Sequence, residues 1–227
     1  MKRAVIFANG ELQNAGRVKA CLSDDDFFIA ADGGYCHLKT LGLLPHLVIG
    51  DLDSLPDDEQ QALTSAGVEI KAYPAEKDET DLELALLEAV GRRFKSILVV
   101  SALGGRLDQT LGNLSLLAAP FLKDCDIQLE DGSTHIWLMT AERYLAGLEI
   151  EGHPGDRVSL LAFHDVVNDI FTKGLKYPLC HEDLLPYQTR GISNVMMKTT
   201  AFIQIKGGQL LILHSMVKKL KKGVELR

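Results

Sequence analysis

The feature of this sequence that most restricts its fold is a change of pattern near residue 140. Before that point, short apolar runs alternate with amphipathic segments, whereas after it clear helical periodicity disappears. Apolar strands separated by helices predict a mostly parallel sheet with helices on both faces. We therefore predict an α/β domain over residues 1–140 and a smaller, sandwich-like all-β domain over residues 141–227.

The individual elements follow from the same patterns. The strands predicted in the first half are residues 4–8, 27–31, 46–49, 68–73, 96–102 and 127–129, and residues 134–139, which contain Trp137, form a further one. Helices are predicted over residues 81–92 and 108–122, and Thr80 and Glu83 have the spacing of a capping box. The strands predicted in the second half are residues 157–163, 169–175, 195–199 and 201–213, the last containing a hairpin turn at 206–209.

Charge, cysteine content and hydropathy exclude several classes of protein. The formal net charge is −7, which disfavours a nucleic-acid binder because such a protein needs a basic face for phosphates. No segment approaches the roughly 20 apolar residues of a membrane span. The four cysteines are scattered, which favours reduced and mostly buried thiols. These features predict a cytoplasmic protein that binds neither nucleic acid nor membrane, and the basic segment 218–222 is expected to be a solvated end.

Acidic residues follow four successive predicted strands. They lie in residues 31–34, 50–54, 77–81 and 104–108, and three of these segments also contain glycine. In open α/β sheets, ligands bind at the carboxyl ends of the strands, so the four segments are expected to meet there. Carboxylates brought together repel one another and need cations. Oxygen ligands of this kind predict Mg²⁺ bridging the protein to phosphates.

Each of these segments also has a simpler explanation when taken alone. Asp32 is typical of a turn, Asp51 and Asp53 of a loop that caps the next helix, Asp81 of a first helical turn and Asp108 of an N-cap. The glycines before Arg106 are more indicative of phosphate, because they allow close approach to the backbone and arginine binds phosphate oxygens through two N–H groups. Capping alone does not easily explain four such segments in succession.

Together the segments resemble the signature of the thiamine pyrophosphokinase family. The family's ADGG, GDxDS, DxTD and GGRxDH elements are matched by residues 31–34, 50–54, 78–81 and 104–108, and residues 172–177 and 190–194 resemble its thiamine-side segments. Two positions depart from the family pattern. Leu52 replaces the usual aromatic residue, which we expect to alter packing only. Gln109 replaces the usual histidine, and a glutamine can donate a hydrogen bond but cannot act as a base.

The resemblance implies a reaction and roles for these residues. The thiamine hydroxyl attacks the β-phosphorus of ATP, giving thiamine diphosphate and AMP with the help of Mg²⁺. The metal ligands are then Asp51, Asp53 and Asp81, and Arg106 binds a phosphate. Further candidates for the metal, the nucleotide or the hydroxyl are Asp32, Asp78 and Asp108. The nucleotide path is assigned to Gly33, Gly34, Thr80, Gly104, Gly105 and Gln109. The thiamine cation favours an aromatic face, and its contacts are assigned to Tyr177, Ser193 and Asn194.

The resemblance also implies a homodimer in which each site combines the α/β domain of one chain with the β domain of the other. Three other functions stay open at this point. A pyrophosphokinase of another hydroxymethyl heterocycle, such as a pterin, would share the acidic cluster. A nucleotide-sugar glycosyltransferase could use Asp51 and Asp53 but would not need residues 104–108. A non-catalytic thiamine-binding protein would not need the carboxylates.

Overall fold

The structure is a computed structural model that describes residues 3–53 and 55–217. Ser54 of the acidic segment and the basic segment 218–222 lie outside the described residues. The described chain divides into two compact units, the first extending to Trp137 and the second beginning at Leu138.

The first unit alternates strands and helices. Its strands are β1 (Ala4–Phe7), β2 (Phe27–Ala31), β3 (Leu47–Gly50), β4 (Glu69–Ala72), β5 (Ser96–Val100), β6 (Asp126–Glu130) and the start of β7 (Thr134–Thr140). Its helices are α1 (Ala15–Ala20), α2 (Gly34–Leu41), α3 (Asp57–Ser65), α4 (Asp81–Gly91) and α5 (Leu107–Leu116). The predicted α/β class of this half is confirmed.

The sheet of the first unit has its strands in the order β6-β5-β1-β2-β3-β4, all parallel, and β7 is antiparallel to β6. The chain builds outward from β1 to β4 and then returns to the other side of β1 with β5. This reversal creates a crevice at the carboxyl ends of β1 and β5, which is where open α/β sheets bind ligands.

Continuous apolar strands and one-sided helices form the core of this unit. All four residues of β1 are buried, as expected for a central parallel strand. Helix α4 buries Leu82, Ala85, Leu86 and Ala89, and the Thr80 side chain accepts a hydrogen bond from the Glu83 N–H, as the predicted cap requires. Helix α5 differs because none of its residues is buried.

The second predicted helix is shorter than expected. We predicted residues 108–122, whereas α5 ends at Leu116 and a separate 3-10 turn covers Pro120–Leu122. Pro120 has no backbone N–H, so it cannot continue an α-helix through this segment.

The second unit is built from strands alone among its described residues. They are β8 (Leu148–Glu151), β9 (Arg157–Ala162), β10 (Val167–Lys173), β11 (Cys180–Leu184), β12 (Asn194–Val195), β13 (Thr200–Gln204) and β14 (Gln209–Ser215). One antiparallel sheet has the order β11-β10-β13-β8, and β9 lies antiparallel between β12 and β14. The predicted all-β character of this half is confirmed.

Several details of the second half were predicted wrongly. The turn at residues 206–209 does not close a hairpin, because β13 pairs with β10 and β8 while β14 pairs with β9. The strand predicted at 195–199 is reduced to β12, and neither β8 nor β11 was predicted. The expectation of mostly buried thiols is also wrong, since Cys125 is buried but the three other cysteines are exposed.

The described helices are all short. None of those within residues 3–53 and 55–217 has both the length and the apolar character needed to cross a membrane.

Candidate active site

A cleft of about 470 Å³ opens at the crevice between β1 and β5. The chain segments that follow β1, β2 and β5 line it, together with the first turns of α4 and α5. The predicted residues in its lining are Asp32, Thr80, Asp81, Gly104, Gly105, Arg106 and Gln109. Four segments far apart in the sequence therefore meet at one edge of the sheet.

Three carboxylates converge beside this cleft. Oxygen atoms of Asp32, Asp51 and Asp53 all lie within 4.8 Å of one another. The Asp51 carboxylate, above all, raises the pKa of Asp53, and Asp32 and Asp81 act in the same direction. Converging oxygen donors that repel one another are the arrangement that a divalent cation relieves, so the residues present fit Mg²⁺.

The backbone around these carboxylates takes unusual conformations. Asp32 and Leu52 have positive φ angles of 48° and 63°. Residues other than glycine rarely adopt this region, and such strain collects at functional sites. Gly50 has a φ of 152°, and a Cβ on it would lie 3.3 Å from Asp32 Cα and 3.4 Å from the Asp81 carboxyl carbon. The glycine therefore lets the two acidic segments approach each other.

The structure groups Asp32 with Asp51 and Asp53, whereas the sequence analysis had assigned Asp81 as the third metal ligand. Asp81 is nearby, but its Oδ1 lies 3.0 Å from Lys77 Nζ in an ion pair. Oδ1 is buried, and apart from this ion pair it accepts no hydrogen bond of good geometry. The ion pair uses one of the two Asp81 carboxylate oxygens, and the role of Asp81 as a metal ligand stays a prediction.

The glycine-rich segment between β5 and α5 takes left-handed backbone conformations. Gly104 and Gly105 have φ angles of 83° and 64°, which favour glycine. The Gly105 N–H donates to Glu11 Oε1 at 3.2 Å, and a Cβ on Gly104 would lie 2.7 Å from Glu11 side-chain carbons. The Gly105 backbone N–H thus already binds one anionic group, the Glu11 carboxylate.

Arg106 and Asp108 form an exposed ion pair at the start of α5. Arg106 Nε donates to Asp108 Oδ1 at 3.1 Å, and the pair raises the pKa of Arg106 and lowers that of Asp108. Asp108 is not the N-cap, because that position belongs to Arg106 and Asp108 lies in the first turn. The guanidinium faces solvent with a partner that a phosphate can replace.

Gly33 and Gly34 are buried and do not line the cleft. A Cβ on Gly34 would lie 1.8 Å from the Phe7 carbonyl oxygen, so the glycine allows α2 to pack directly on β1. A Cβ on Gly33 would lie 2.4 Å from Asn9 Oδ1. Close packing accounts for both glycines, and their contact with a nucleotide stays a prediction. Asp78 is exposed and also lies outside the lining.

The cleft residues that the sequence analysis did not assign to the site include Asn9, Gly10 and Asn113. Asn9 Nδ2 donates to Asp32 Oδ2 at 3.2 Å, and Asn113 Nδ2 donates to the Ala102 carbonyl at 2.8 Å. Asn9 and Gly10 follow β1, so the rule used for the other strand ends would have found them. The prediction at the strand ends rested on carboxylates, and neither Asn9 nor Gly10 carries one.

The two predicted thiamine-side segments lie together in the second unit. Leu175 and Met196 form a bridge, and the buried Asn194 side chain accepts from the Tyr177 N–H at 2.9 Å and donates to the Tyr177 carbonyl at 2.6 Å. Asn194 therefore holds Tyr177 in place instead of presenting a free amide. The Tyr177 side chain is 53% exposed, and Lys176 Nζ lies 5.3 Å from its ring centroid. Ser193 is exposed and has a φ of 58°.

Comparisons with known proteins agree with this arrangement. Residues 18–129 match the model of the thiamin pyrophosphokinase catalytic domain, and residues 148–210 match that of the thiamin pyrophosphokinase vitamin B1 binding domain. The chain belongs to the thiamine pyrophosphokinase family. The chain is 30% identical to a thiamine pyrophosphokinase of Bacillus subtilis, over 95% of this chain and 99% of that protein.

Solved structures of the family share the fold. A thiamin pyrophosphokinase from Geobacillus thermodenitrificans is 26% identical with a TM-score of 0.78, covering 96% of this chain and 99% of that one. A thiamine pyrophosphokinase structure from Bacillus subtilis has a TM-score of 0.83 at 24% identity, covering 96% and 100% of the two chains. The expected resemblance is confirmed.

The two departures from the family pattern have different surroundings. Leu52 packs against the hydrophobic core of the first unit, in keeping with the packing role expected for it. Gln109 lines the cleft and is exposed.

Proposed function

We propose that this chain is an ATP-dependent thiamine diphosphokinase, which transfers a pyrophosphoryl group from ATP to the thiamine hydroxyl and releases AMP. The observation that carries the proposal is the cleft of a thiamine pyrophosphokinase in which converging carboxylates face a glycine-rich loop and an arginine. A non-catalytic thiamine-binding protein would not need this set. A pyrophosphokinase of a pterin is not favoured, because the second half matches the vitamin B1 binding model.

The carboxylate cluster would hold Mg²⁺ through Asp51 and Asp53. The short distances between the carboxylate oxygens favour Asp32 as the third ligand, and Asp81 is the alternative third ligand. When bound, Mg²⁺ neutralises phosphate charge. The protein's contribution is to fix the carboxylates before the substrate arrives, because positioning and charge neutralisation account for most of the catalysis of phosphoryl transfer.

The glycine-rich loop and Arg106 would bind the polyphosphate. Arg106 exchanges the Asp108 carboxylate for a phosphate oxygen, and its charge then stabilises the transition state as the bond to AMP breaks. The Gly105 N–H, which donates to Glu11, can donate in the same way to a phosphate oxygen. Asp108, once released, is available to orient the thiamine hydroxyl.

Tyr177 would contact the thiamine cation with its exposed ring, and Ser193 would supply a polar contact. Asn194 would act through Tyr177, since its amide is used by the Tyr177 backbone. Lys176 lies over the same ring, so the bound thiamine either uses the other face or displaces the lysine.

We further propose a homodimer in which each site combines the first unit of one chain with the second unit of its partner. Apolar side chains are exposed in both units, among them Leu107 (72%) and Leu111 (56%) on α5, and Tyr187 and Met197 in the second unit. Exposed apolar surface of this kind is typical of interaction sites. A cytoplasmic location belongs to the same proposal, because the reaction consumes ATP.

The activity is tested by measuring AMP release from ATP in the presence of thiamine, a hydroxymethylpterin or no acceptor. Thiamine-dependent AMP formation that needs Mg²⁺ is expected. Faster AMP release with the pterin would favour the other pyrophosphokinase, and no AMP with any acceptor would favour a binding protein.

The shared site is tested by complementation between Asp53→Asn and Tyr177→Ala, each nearly inactive alone. After subunit exchange, one site of each heterodimer carries both lesions and the other carries none, so activity returns if the sites are shared. If exchange is confirmed with tagged chains and activity does not return, each site lies within one chain.

A further inference from the structure

Asn9 lies at the carboxyl end of β1 with its amide against the carboxylate cluster. Its Nδ2 atom is 3.2 Å from Asp32 Oδ2. A carboxylate only accepts hydrogen bonds, so the amide nitrogen must be the atom that faces it. Asn9 thus donates to one of the three carboxylates that converge, and it lines the same cleft.

The space for this amide exists because residue 33 has no side chain. The three atoms nearest to a Cβ built on Gly33 all belong to the Asn9 amide, at 2.4 Å for Oδ1, 2.5 Å for Cγ and 2.6 Å for Nδ2. The Gly33 backbone does not itself require glycine, since its φ of −58° and ψ of −6° are open to any residue. The contact with Asn9 is therefore the constraint that favours glycine at this position.

We propose that Asn9 is a positioning residue that holds the Asp32 carboxylate in the direction of Asp51 and Asp53, and that Gly33 provides the room for it. The inference rests on the proposed function, because it concerns the same cation site. Asp32 lies in a left-handed turn, where the strand no longer fixes its side chain. Hydrogen bonds to a ligating carboxylate orient the ligand, and losing such a partner commonly lowers metal affinity by about 10- to 100-fold.

The size of the effect follows from the exposure of Asn9. Because Asn9 is exposed, water competes with its hydrogen bond, so the lower end of that range is expected, about tenfold. Gly33→Ala should have a similar effect, since the new methyl group displaces the amide. The double variant should be little worse than either single one, because both changes remove the same hydrogen bond.

The experiment is a titration of the nucleotide-free protein with Mn²⁺, followed by electron paramagnetic resonance, for the wild type, Asn9→Ala, Gly33→Ala and the double variant. Gln128→Ala is the matched control for the truncation, because its amide donates to the Asp126 carboxylate at 3.1 Å and lies outside the cleft lining. Gly91→Ala is the control for the added methyl group, because no atom lies within 4 Å of a Cβ there. Both controls should keep the wild-type Mn²⁺ affinity.

A second measurement separates positioning from a general loss of activity. In Asn9→Ala, the Mg²⁺ concentration for half-maximal turnover should rise about tenfold while turnover at saturating Mg²⁺ stays within a few-fold of the wild type, since the Asp32 ligand remains. Unchanged Mn²⁺ affinity in Asn9→Ala, or losses that multiply in the double variant, would overturn the inference alone. A wild type that binds no Mn²⁺ would overturn the proposed cation site and this inference with it. If Gly33→Ala does not fold, the Mn²⁺ affinity of Asn9→Ala alone tests the inference.

Discussion

Gly33 and Gly34 are adjacent, yet the same substitution should affect them in different ways. In Gly34→Ala the new Cβ would lie 1.8 Å from the Phe7 carbonyl oxygen and 2.5 Å from its carbonyl carbon. In Gly33→Ala the three atoms nearest to the new Cβ would all belong to the amide of an exposed asparagine. The first clash is with backbone and the second with the end of a side chain that can move.

The magnitude for Gly34→Ala follows from that distance. The oxygen is roughly 1 Å too close for any carbon–oxygen contact, so α2 must move away from β1. That movement separates Leu38 and Leu41 from a core that also contains Phe7 and Phe28. Overpacking costs about 1–3 kcal/mol, and a clash between two backbones belongs at the upper end, so we expect a loss of about 3 kcal/mol. Gly33→Ala should cost less than about 1 kcal/mol.

The assay is equilibrium unfolding in urea with circular dichroism, together with calorimetry. For a chain of this length, 3 kcal/mol corresponds to a fall in Tm of roughly 10 °C. Hydrogen exchange of the α2 amides should report the local loosening in Gly34→Ala alone. Gly91→Ala should be neutral or slightly stabilising, because alanine is preferred over glycine in helices. Equal losses at positions 33 and 34, or a loss below about 1 kcal/mol for Gly34→Ala, would refute the argument.

Three further predictions follow from the site and from the second unit. Asp51→Asn should keep the fold, seen by circular dichroism, and lower Mg²⁺-dependent AMP formation at least about a hundredfold; normal turnover would remove Asp51 from the site. Arg106→Lys should lose most of the activity despite its charge, because lysine cannot contact phosphate through two N–H groups; equal kcat/KM would show that charge alone suffices. Asp156, 4% exposed, has a lowered pKa because hydrogen bonds from the backbone N–H groups of His153 and Val217 and from His214 outweigh the opposing effect of burial. Asp156→Asn should cost about 2 kcal/mol at pH 7. This difference should begin to shrink at about pH 4, where the carboxyl of the unfolded chain protonates, and should vanish only below the lowered pKa of the folded carboxyl; a constant difference in urea unfolding free energy would contradict this.

The fold class could be predicted because buried parallel strands are apolar throughout. β1, β2 and β5 stand out in the sequence for that reason. β8 and β11 were missed because each has a single buried residue, which leaves no regular alternation to detect. The turn between β13 and β14 has typical turn residues, but these do not reveal whether the two strands pair with each other. Pairing depends on partners that are distant in the sequence.

The site could be predicted only in part. Carboxylates at strand ends were found because their charge makes them conspicuous. Which of these carboxylates lie together could not be predicted, because the ion pair of Asp81 with Lys77 and the position of Asp32 beside Asp51 depend on side-chain geometry. Gly33 illustrates the remaining difficulty. A sequence shows that a residue is small, but not which neighbour, here Asn9, occupies the space left free.

The ion pair between Arg106 and Asp108 changes how binding should depend on salt. The arginine has an anionic partner before any ligand arrives, so binding exchanges one ion pair for another instead of creating a new one. Dissolved ions screen the bond that is broken as well as the bond that is formed, and the two effects oppose each other. The contribution of this arginine to ATP affinity should therefore vary little with ionic strength, and Asp108 serves as an internal competitor that a nucleotide must displace.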